Sequence, residues 1–135
     1  IIMAGILICS PVVASENDFR CLKSIGLKSP IRLQFTFPTD NEKLGYVTYQ
    51  NGDGRIAVRR VKERELRRVP GGRPSEFESQ WEETAPAGAG GTYIIVSQGA
   101  LLNEFRYARK KDGKIFRFEE DLDASGKNQC EWNTK

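Results

Sequence analysis

The chain has 135 residues, enough for one domain of ordinary size and too few for two full hydrophobic cores. With 39% hydrophobic and 29% charged residues it is typical of a globular protein, and a net charge of +3 is lower than a dedicated nucleic-acid-binding domain carries, so we expect no nucleic-acid partner. Histidine is absent and there are only three cysteines, which excludes His-dependent catalysis and zinc sites built on imidazole or on four thiolates; we therefore expect a binding protein without a cofactor or metal rather than an enzyme.

The first 14 residues predict a secretory signal peptide. The apolar run at 1–13 ends in Val12-Val13-Ala14, the small-x-small pattern of a cleavage site, and we place the cleavage after Ala14. A buried N-terminal strand or helix is the alternative; a membrane-spanning helix is disfavoured, because Pro11 interrupts a run shorter than the roughly 20 apolar residues required. We expect a periplasmic or secreted protein with residues 15–135 as its single domain and no stable membrane insertion after cleavage.

Signal-peptide removal would leave two cysteines, Cys21 near the start of the domain and Cys130 near its end. In an oxidising compartment the two cysteines of a small domain usually pair, which predicts a Cys21–Cys130 disulfide. The bridge would close a loop of about 110 residues, worth roughly 4 to 5 kcal/mol in the chain-entropy treatment. Two free buried thiols in a cytosolic protein are the alternative if the signal-peptide prediction fails.

Alternation of apolar and polar residues dominates the rest of the chain and predicts short β-strands. The predicted strands cover residues 31–37, 44–50, 54–61, 75–84, 92–98, 101–109 and 115–119, with a final short strand around Cys130 and Trp132. Residues 62–69 fit either a short helix or an extension of the preceding strand across a bulge. Turn signals recur every 8 to 12 residues or so and no long helix is indicated, so we predict an all-β fold: a small antiparallel β-barrel of about eight strands, with a sandwich as the alternative.

A basic segment is followed at once by an acidic one. Residues 55–73 contain eight Lys or Arg against two Glu, a local charge of +6, and residues 76–83 contain four Glu. One interpretation is a face for an anionic small molecule or glycan, formed by Arg59, Arg60, Arg67 and Arg68. The interpretation we favour is that two neighbouring antiparallel strands pair Arg against Glu on their outer faces.

Three further features stand in a fixed order along the chain. An aromatic-x-Cys sequence, Phe19-Arg20-Cys21, follows the predicted signal peptide; residues 89–93 read Ala-Gly-Gly-Thr-Tyr; and Asn128-Gln129-Cys130 lies near the end. This layout resembles the periplasmic and membrane-bound inhibitors of c-type lysozyme. In that family a small eight-stranded barrel is tied by a terminal disulfide, and a loop with a Ser-Gly-x-x-Tyr motif enters the lysozyme cleft.

The resemblance implies a protein partner, a lysozyme, and it implies which residues contact that partner. The matching motif residues are Ala89, which replaces the serine, and Gly90, Thr92 and Tyr93. The family also uses a lysine of a later loop, for which Lys110, Lys111 and Lys114 are the candidates and Lys111 is the one we take. We therefore expect a secreted lysozyme-inhibitor-like protein that blocks an enzyme cleft with residues 85–93, and the anion-binding barrel is the alternative function.

Overall fold

Eight antiparallel strands close into a barrel in the computed structural model of the chain, which describes residues 18–38, 40–52, 54–84 and 90–132. The strands are β1 Asp18–Ser24, β2 Arg32–Phe37, β3 Leu44–Tyr49, β4 Arg55–Arg67, β5 Glu76–Glu83, β6 Thr92–Gln98, β7 Leu101–Ala108 and β8 Ile115–Glu120. Each strand pairs with the next along the chain, and β1 pairs with β8 to close the barrel. The predicted antiparallel barrel is confirmed, whereas the predicted signal peptide lies outside the described residues.

Helical structure within the described ranges is confined to one 3₁₀ turn at Leu122–Ala124. In this part of the chain no helix has the length and apolar character needed to cross a membrane.

The barrel interior is filled by the side chains that alternate inward along the strands. The fully packed core consists of Leu22, Leu33, Phe35, Val47, Val58, Trp81, Tyr93, Ile95, Phe105 and Phe118. Phe35 lies among three other rings, with its centroid 5.3 Å from Trp81, 6.0 Å from Tyr93 and 5.9 Å from Phe105, each close to edge-on. Edge-to-face contacts are the favoured geometry for aromatic pairs, and an eight-stranded barrel is narrow enough to be filled by side chains.

The connections between strands define two ends of the barrel. The β1–β2, β3–β4, β5–β6 and β7–β8 connections lie at what we call the upper end. The β2–β3, β4–β5 and β6–β7 connections lie at the lower end. Gly90 and Gly91, the described residues of the predicted loop, thus belong to the upper end, and the basic segment runs down β4 towards the lower one.

The ambiguous segment at residues 62–69 continues β4 rather than forming a helix. β4 runs from Arg55 to Arg67 and stays paired with β5 through two register shifts, one between Arg60 and Lys62 and one between Glu65 and Arg67. The extension across a bulge is therefore correct and the short-helix alternative is wrong. Pairing with β5 from Val58 to Arg67 stabilises an extended backbone in a segment whose charged composition does not by itself favour strand over helix.

The segment after β8 crosses the outside of the barrel and is fastened there by the Cys21–Cys130 disulfide, which confirms the predicted pairing. The Cys130 amide donates to Oε1 of Gln34 at 2.8 Å, and the Asp121 amide donates to the Cys21 carbonyl at 2.7 Å. The final strand predicted around Cys130 and Trp132 is wrong: Cys130 makes only an isolated bridge with Ser125. Pairing of β8 with β1 has already closed the barrel, so no sheet edge is left there for another strand.

Candidate functional site at the upper end

Two glycines close the β5–β6 loop at the upper end, Gly90 because of its backbone conformation and Gly91 because of close packing. Gly90 has φ +94°, in the left-handed region, and a Cβ at this position would lie 2.7 Å from Cδ of Lys110. A Cβ at Gly91 would collide with the ring of Tyr107. The glycines therefore let the end of the loop lie against β7 and the turn that follows it.

The β7–β8 turn beside Gly90 is held in shape by an ion pair within it. Arg109 binds Asp112 through two hydrogen bonds of 3.1 and 2.8 Å, and Asp112 also accepts from the Lys114 amide at 3.1 Å. The Arg109 guanidinium, followed by the Lys114 amide, holds the pKa of Asp112 well below its usual range. The carboxylate therefore stays ionised and the turn keeps its shape.

Three lysines of the same turn are exposed, namely Lys110, Lys111 and Lys114. Lys114 lies 5.2 Å from the ring centroid of Phe116, a cation–π distance. None of the three lysines forms an ion pair within the part of the chain that the structure describes. The turn thus presents a cluster of positive charge next to the β5–β6 loop.

A buried hydrogen-bonded chain of two tyrosines and a glutamate lies beneath this surface. The Tyr93 hydroxyl donates to Oε2 of Glu83 at 2.9 Å, so its contact of 2.7 Å with the Tyr49 hydroxyl has Tyr49 as the donor. Tyr107 stacks on Tyr93 with ring centroids 4.7 Å apart. Burial raises the pKa of Tyr49 and Tyr93 far above the ordinary tyrosine value, and it raises that of Tyr107 as well.

The residues of the predicted contact motif fall at different depths. Gly90 and Thr92 are half-buried, Lys111 is exposed, and Tyr93 is fully buried with its ring in the core. Ala89 lies outside the described residues. The structure therefore places Gly90 and Lys111 at one end of the barrel, with Tyr93 below them as a support.

No prediction from the sequence joined Tyr49, Tyr93 and Glu83 in a hydrogen-bonded chain or placed the ring of Tyr107 against Tyr93. A signal was available for Tyr107, because residues directly opposite each other in an antiparallel hairpin share a face, and Tyr93 pairs with Tyr107. The contact of Tyr49 with Tyr93 crosses the barrel between strands that are not neighbours, and local pattern does not indicate such contacts.

The arginines of the alternative site do not share one surface. Arg67 pairs with Glu76 at 3.8 Å, and Arg68 pairs with Glu65 at 3.2 Å. Arg60 pairs with Glu63 at 3.5 Å and lines a cavity, whereas its neighbour Arg59 projects from the opposite face of β4. The Arg–Glu pairing between neighbouring strands that we favoured is thus present. The anion-binding face stays a prediction, and its four arginines do not lie together on one surface.

The upper end combines a glycine-closed loop, exposed lysines and a buried tyrosine network. No group of three or more His, Cys, Asp or Glu side chains suited to a metal ion occurs in the ranges that the structure describes. No protein-family model matches the chain, and neither a curated protein nor a solved structure is significantly similar to it.

Proposed function

We propose that the protein is an exported binding protein that blocks the cleft of an enzyme with its β5–β6 loop, in the manner of the lysozyme inhibitors it resembles. The observation that carries this proposal is the contact between Gly90 and Lys110. It brings the loop motif and the lysine-bearing turn, separated in the sequence, to one end of the barrel. In the family that the chain resembles, these two features act on the same cleft.

Rigidity of the supporting strands favours such a mode of binding. The Gly91 backbone packs on Tyr107, which stacks on Tyr93, and Tyr93 is hydrogen-bonded to Glu83 at the end of β5. Both ends of the loop are thus anchored in one buried cluster. A loop with fixed ends loses less conformational entropy on entering a concave site than a free segment does.

Charge also fits a cleft that contains carboxylates. Lys110 and Lys111 are exposed beside the loop, and exposed cations steer towards an acidic cleft floor. Repulsion of a basic enzyme such as c-type lysozyme by the basic segment of β4 is reduced, because Arg64 and Arg67 are paired with Glu78 and Glu76.

The disulfide supports export. A buried Cys21–Cys130 bridge persists in oxidising compartments and is rare in a reducing cytosol. Together with the predicted signal peptide at residues 1–14, it favours a periplasmic or secreted location.

The proposal is tested by adding the protein at micromolar concentration to an assay of c-type lysozyme activity on bacterial cell walls. We expect inhibition, and we expect Lys111→Glu to weaken it by about tenfold or more, since charge reversal beside a carboxylate-bearing cleft replaces attraction by repulsion. Lys127→Glu makes the same charge change at an exposed lysine of the C-terminal segment and is the control. Absence of inhibition by the unmodified protein would refute the proposal.

Ala89→Ser provides a gain-of-function test of the same loop. It restores the serine of the family motif, and a hydrogen bond to a carboxylate contributes about 1.5 to 3 kcal/mol, so we expect inhibition to strengthen by about tenfold. Ala87→Ser adds a hydroxyl two residues earlier and serves as the matched control. Equal effects of the two substitutions would show that the motif position has no special role.

A further inference from the structure

The lower end of the barrel contains an open cavity of about 640 Å³ that the proposed function does not use. Its apolar lining consists of Phe37, Leu44, Trp81, Ile95, Leu101 and Leu102. Trp81 and Ile95 are 3% exposed and form the floor, whereas Leu44 and Leu101 at the rim are 38% and 63% exposed. This volume lies within the range typical of small-molecule sites, which occur preferentially in places such as the mouths of β-barrels.

One wall of the cavity, formed by Ser97, Gly99, Leu101 and Leu102, is held from outside by contacts of the β6–β7 hairpin with β5 and with the β4–β5 connection. Gln98 donates to the Pro74 carbonyl at 3.3 Å, and Asn103 donates to Oε2 of Glu76 at 2.9 Å. A Cβ on Gly99, which has φ +61°, would lie 2.9 Å from Cγ of Pro74, so this turn packs closely against the neighbouring connection. The cavity is therefore preformed, which lowers the entropic cost of binding.

The charged groups around the cavity leave an excess of negative charge. Arg60 is paired with Glu63 at 3.5 Å, and Arg20 binds Glu120 at 3.2 Å. The remaining charged lining residues are the exposed carboxylates Asp18 and Glu42. Neither carboxylate forms an ion pair with another of the described residues. A cationic group placed near them would be attracted, and an anionic group repelled.

We propose that this cavity binds a small amphipathic molecule with an apolar, ring-sized body and a cationic head group. The body packs on Trp81 and covers the exposed side chains of Leu44 and Leu101. The head group lies at the rim, near Asp18 and Glu42. Because the cavity and the β5–β6 loop are at opposite ends of the barrel, this site and the proposed enzyme inhibition succeed or fail independently.

The first experiment compares two dansyl probes of opposite charge by fluorescence titration. Dansylcadaverine carries an ammonium group and dansylglycine a carboxylate on the same fluorophore. We expect dansylcadaverine to bind saturably and one-to-one. Dansylglycine should bind at least about fivefold more weakly than dansylcadaverine, a modest difference because exposed ion pairs are weak. Failure of dansylcadaverine to saturate, or a preference for dansylglycine, would overturn the proposal.

The second experiment places binding in the cavity with pairs of matched variants. Leu101→Ser removes an exposed apolar rim side chain, and Leu122→Ser removes a 73% exposed leucine outside the cavity. Leu101→Ser should weaken the binding of dansylcadaverine by about fivefold, since one leucine contact is lost, and Leu122→Ser should leave its affinity unchanged. The double substitution Asp18→Asn with Glu42→Gln should make the two probes bind with equal affinity. In its control, Glu119→Gln with Glu131→Gln, the preference for dansylcadaverine should remain. Equal behaviour of variant and control in either pair would contradict the assignment.

Discussion

The hydroxyl groups of Tyr49 and Tyr93 form a chain that ends on the carboxylate of Glu83. Each link is within hydrogen-bonding distance, at 2.7 and 2.9 Å, so these polar groups are satisfied although Tyr93 is fully buried. This chain of hydrogen bonds joins β3, β6 and the end of β5 beneath the upper end. Its stability depends on the tyrosines staying protonated.

Stability should therefore fall in alkaline solution. The pKa values of Tyr49 and Tyr93 are raised in the folded state above an unfolded value of about 10, so their contribution is complete below about pH 10 and is lost as the pH rises further. Each buried tyrosine adds up to about 1.4 kcal/mol of destabilisation per pH unit in that range. Tyr49→Phe should remove one tyrosine's contribution to the dependence of the unfolding free energy on pH, as measured by urea unfolding between pH 8 and pH 12.

Tyr46→Phe is the matched control for the alkaline measurement. Tyr46 lies on the same strand, half-buried, with the guanidinium of Arg55 4.1 Å from its ring centroid and no place in the buried chain. We expect its removal to leave the pH dependence as in the parent. If Tyr49→Phe and Tyr46→Phe had the same slope, the buried chain would not control alkaline stability.

At the scale of the strand, β4 has one protected edge and one open edge. Its first half pairs with β3, whereas residues 61–67 pair with β5 and with no other strand in the described ranges. Open edges invite pairing between molecules, and natural proteins oppose this with charge. A two-fold antiparallel pairing centred on Arg64 would set Arg64 opposite itself and Glu63 opposite Glu65, and like charges directly opposite each other are destabilising.

Removal of the edge charges should therefore cause self-association. Glu63→Thr, Arg64→Thr and Glu65→Thr together remove the like charges that would face one another and leave a strand-forming sequence on the open edge, so we expect a mass above that of the parent at about 100 μM in sedimentation equilibrium. The control, Glu104→Thr with Arg106→Thr and Glu119→Thr, removes the same set of charges from strands that are paired on both sides. Equal masses for the two variants would show that charge does not guard the edge.

The same edge explains where sequence pattern succeeded and where it failed for the strands. β2, β3, β5, β6, β7 and β8 were predicted to within a residue or so, because each either alternates apolar and polar residues or is rich in aromatic and β-branched residues between turn signals. β1, with three charged residues among its seven, was not predicted. Residues 62–69 stayed ambiguous because an open, solvated edge is polar on both faces and shows no alternation. Predictability thus followed burial on one face, which the second half of β4 lacks.

For the whole molecule, the contacts that local pattern could not supply are those between the ends of the chain. The barrel closes through Leu22, Lys23 and Ser24 of β1 against β8, and no hairpin turn connects these strands. Gly90 and Lys111 could be assigned to one end, since alternate connections of an up-and-down barrel lie together. The hydrogen-bonded tyrosines that meet across the barrel could not be predicted from the sequence, because their contact depends on the interior geometry of the closed sheet.

The disulfide is the covalent counterpart of this closure, and its removal should cost much of the stability. Cys21 and Cys130 are separated by 109 positions, a loop for which the chain-entropy treatment gives about 4 to 5 kcal/mol, a large share of the roughly 5 to 15 kcal/mol typical of domains. We expect Cys21→Ala with Cys130→Ala to lower the free energy of urea unfolding by about 4 kcal/mol. Dithiothreitol should lower the free energy of unfolding of the parent by the same amount and leave that of the double variant unchanged.

Because the bridge lies outside the barrel, the barrel itself should survive its loss. The Cys130 amide also attaches the C-terminal segment to Gln34 of β2 at 2.8 Å, and the Glu131 amide donates to the Ala124 carbonyl within the segment at 2.7 Å. In the double variant we expect hydrogen exchange to quicken first at these two amides, while the β6 and β7 amides in the core remain protected. Uniform loss of protection across all strands would instead mean that the bridge holds the barrel closed, and that β1 cannot stay paired with β8 without it.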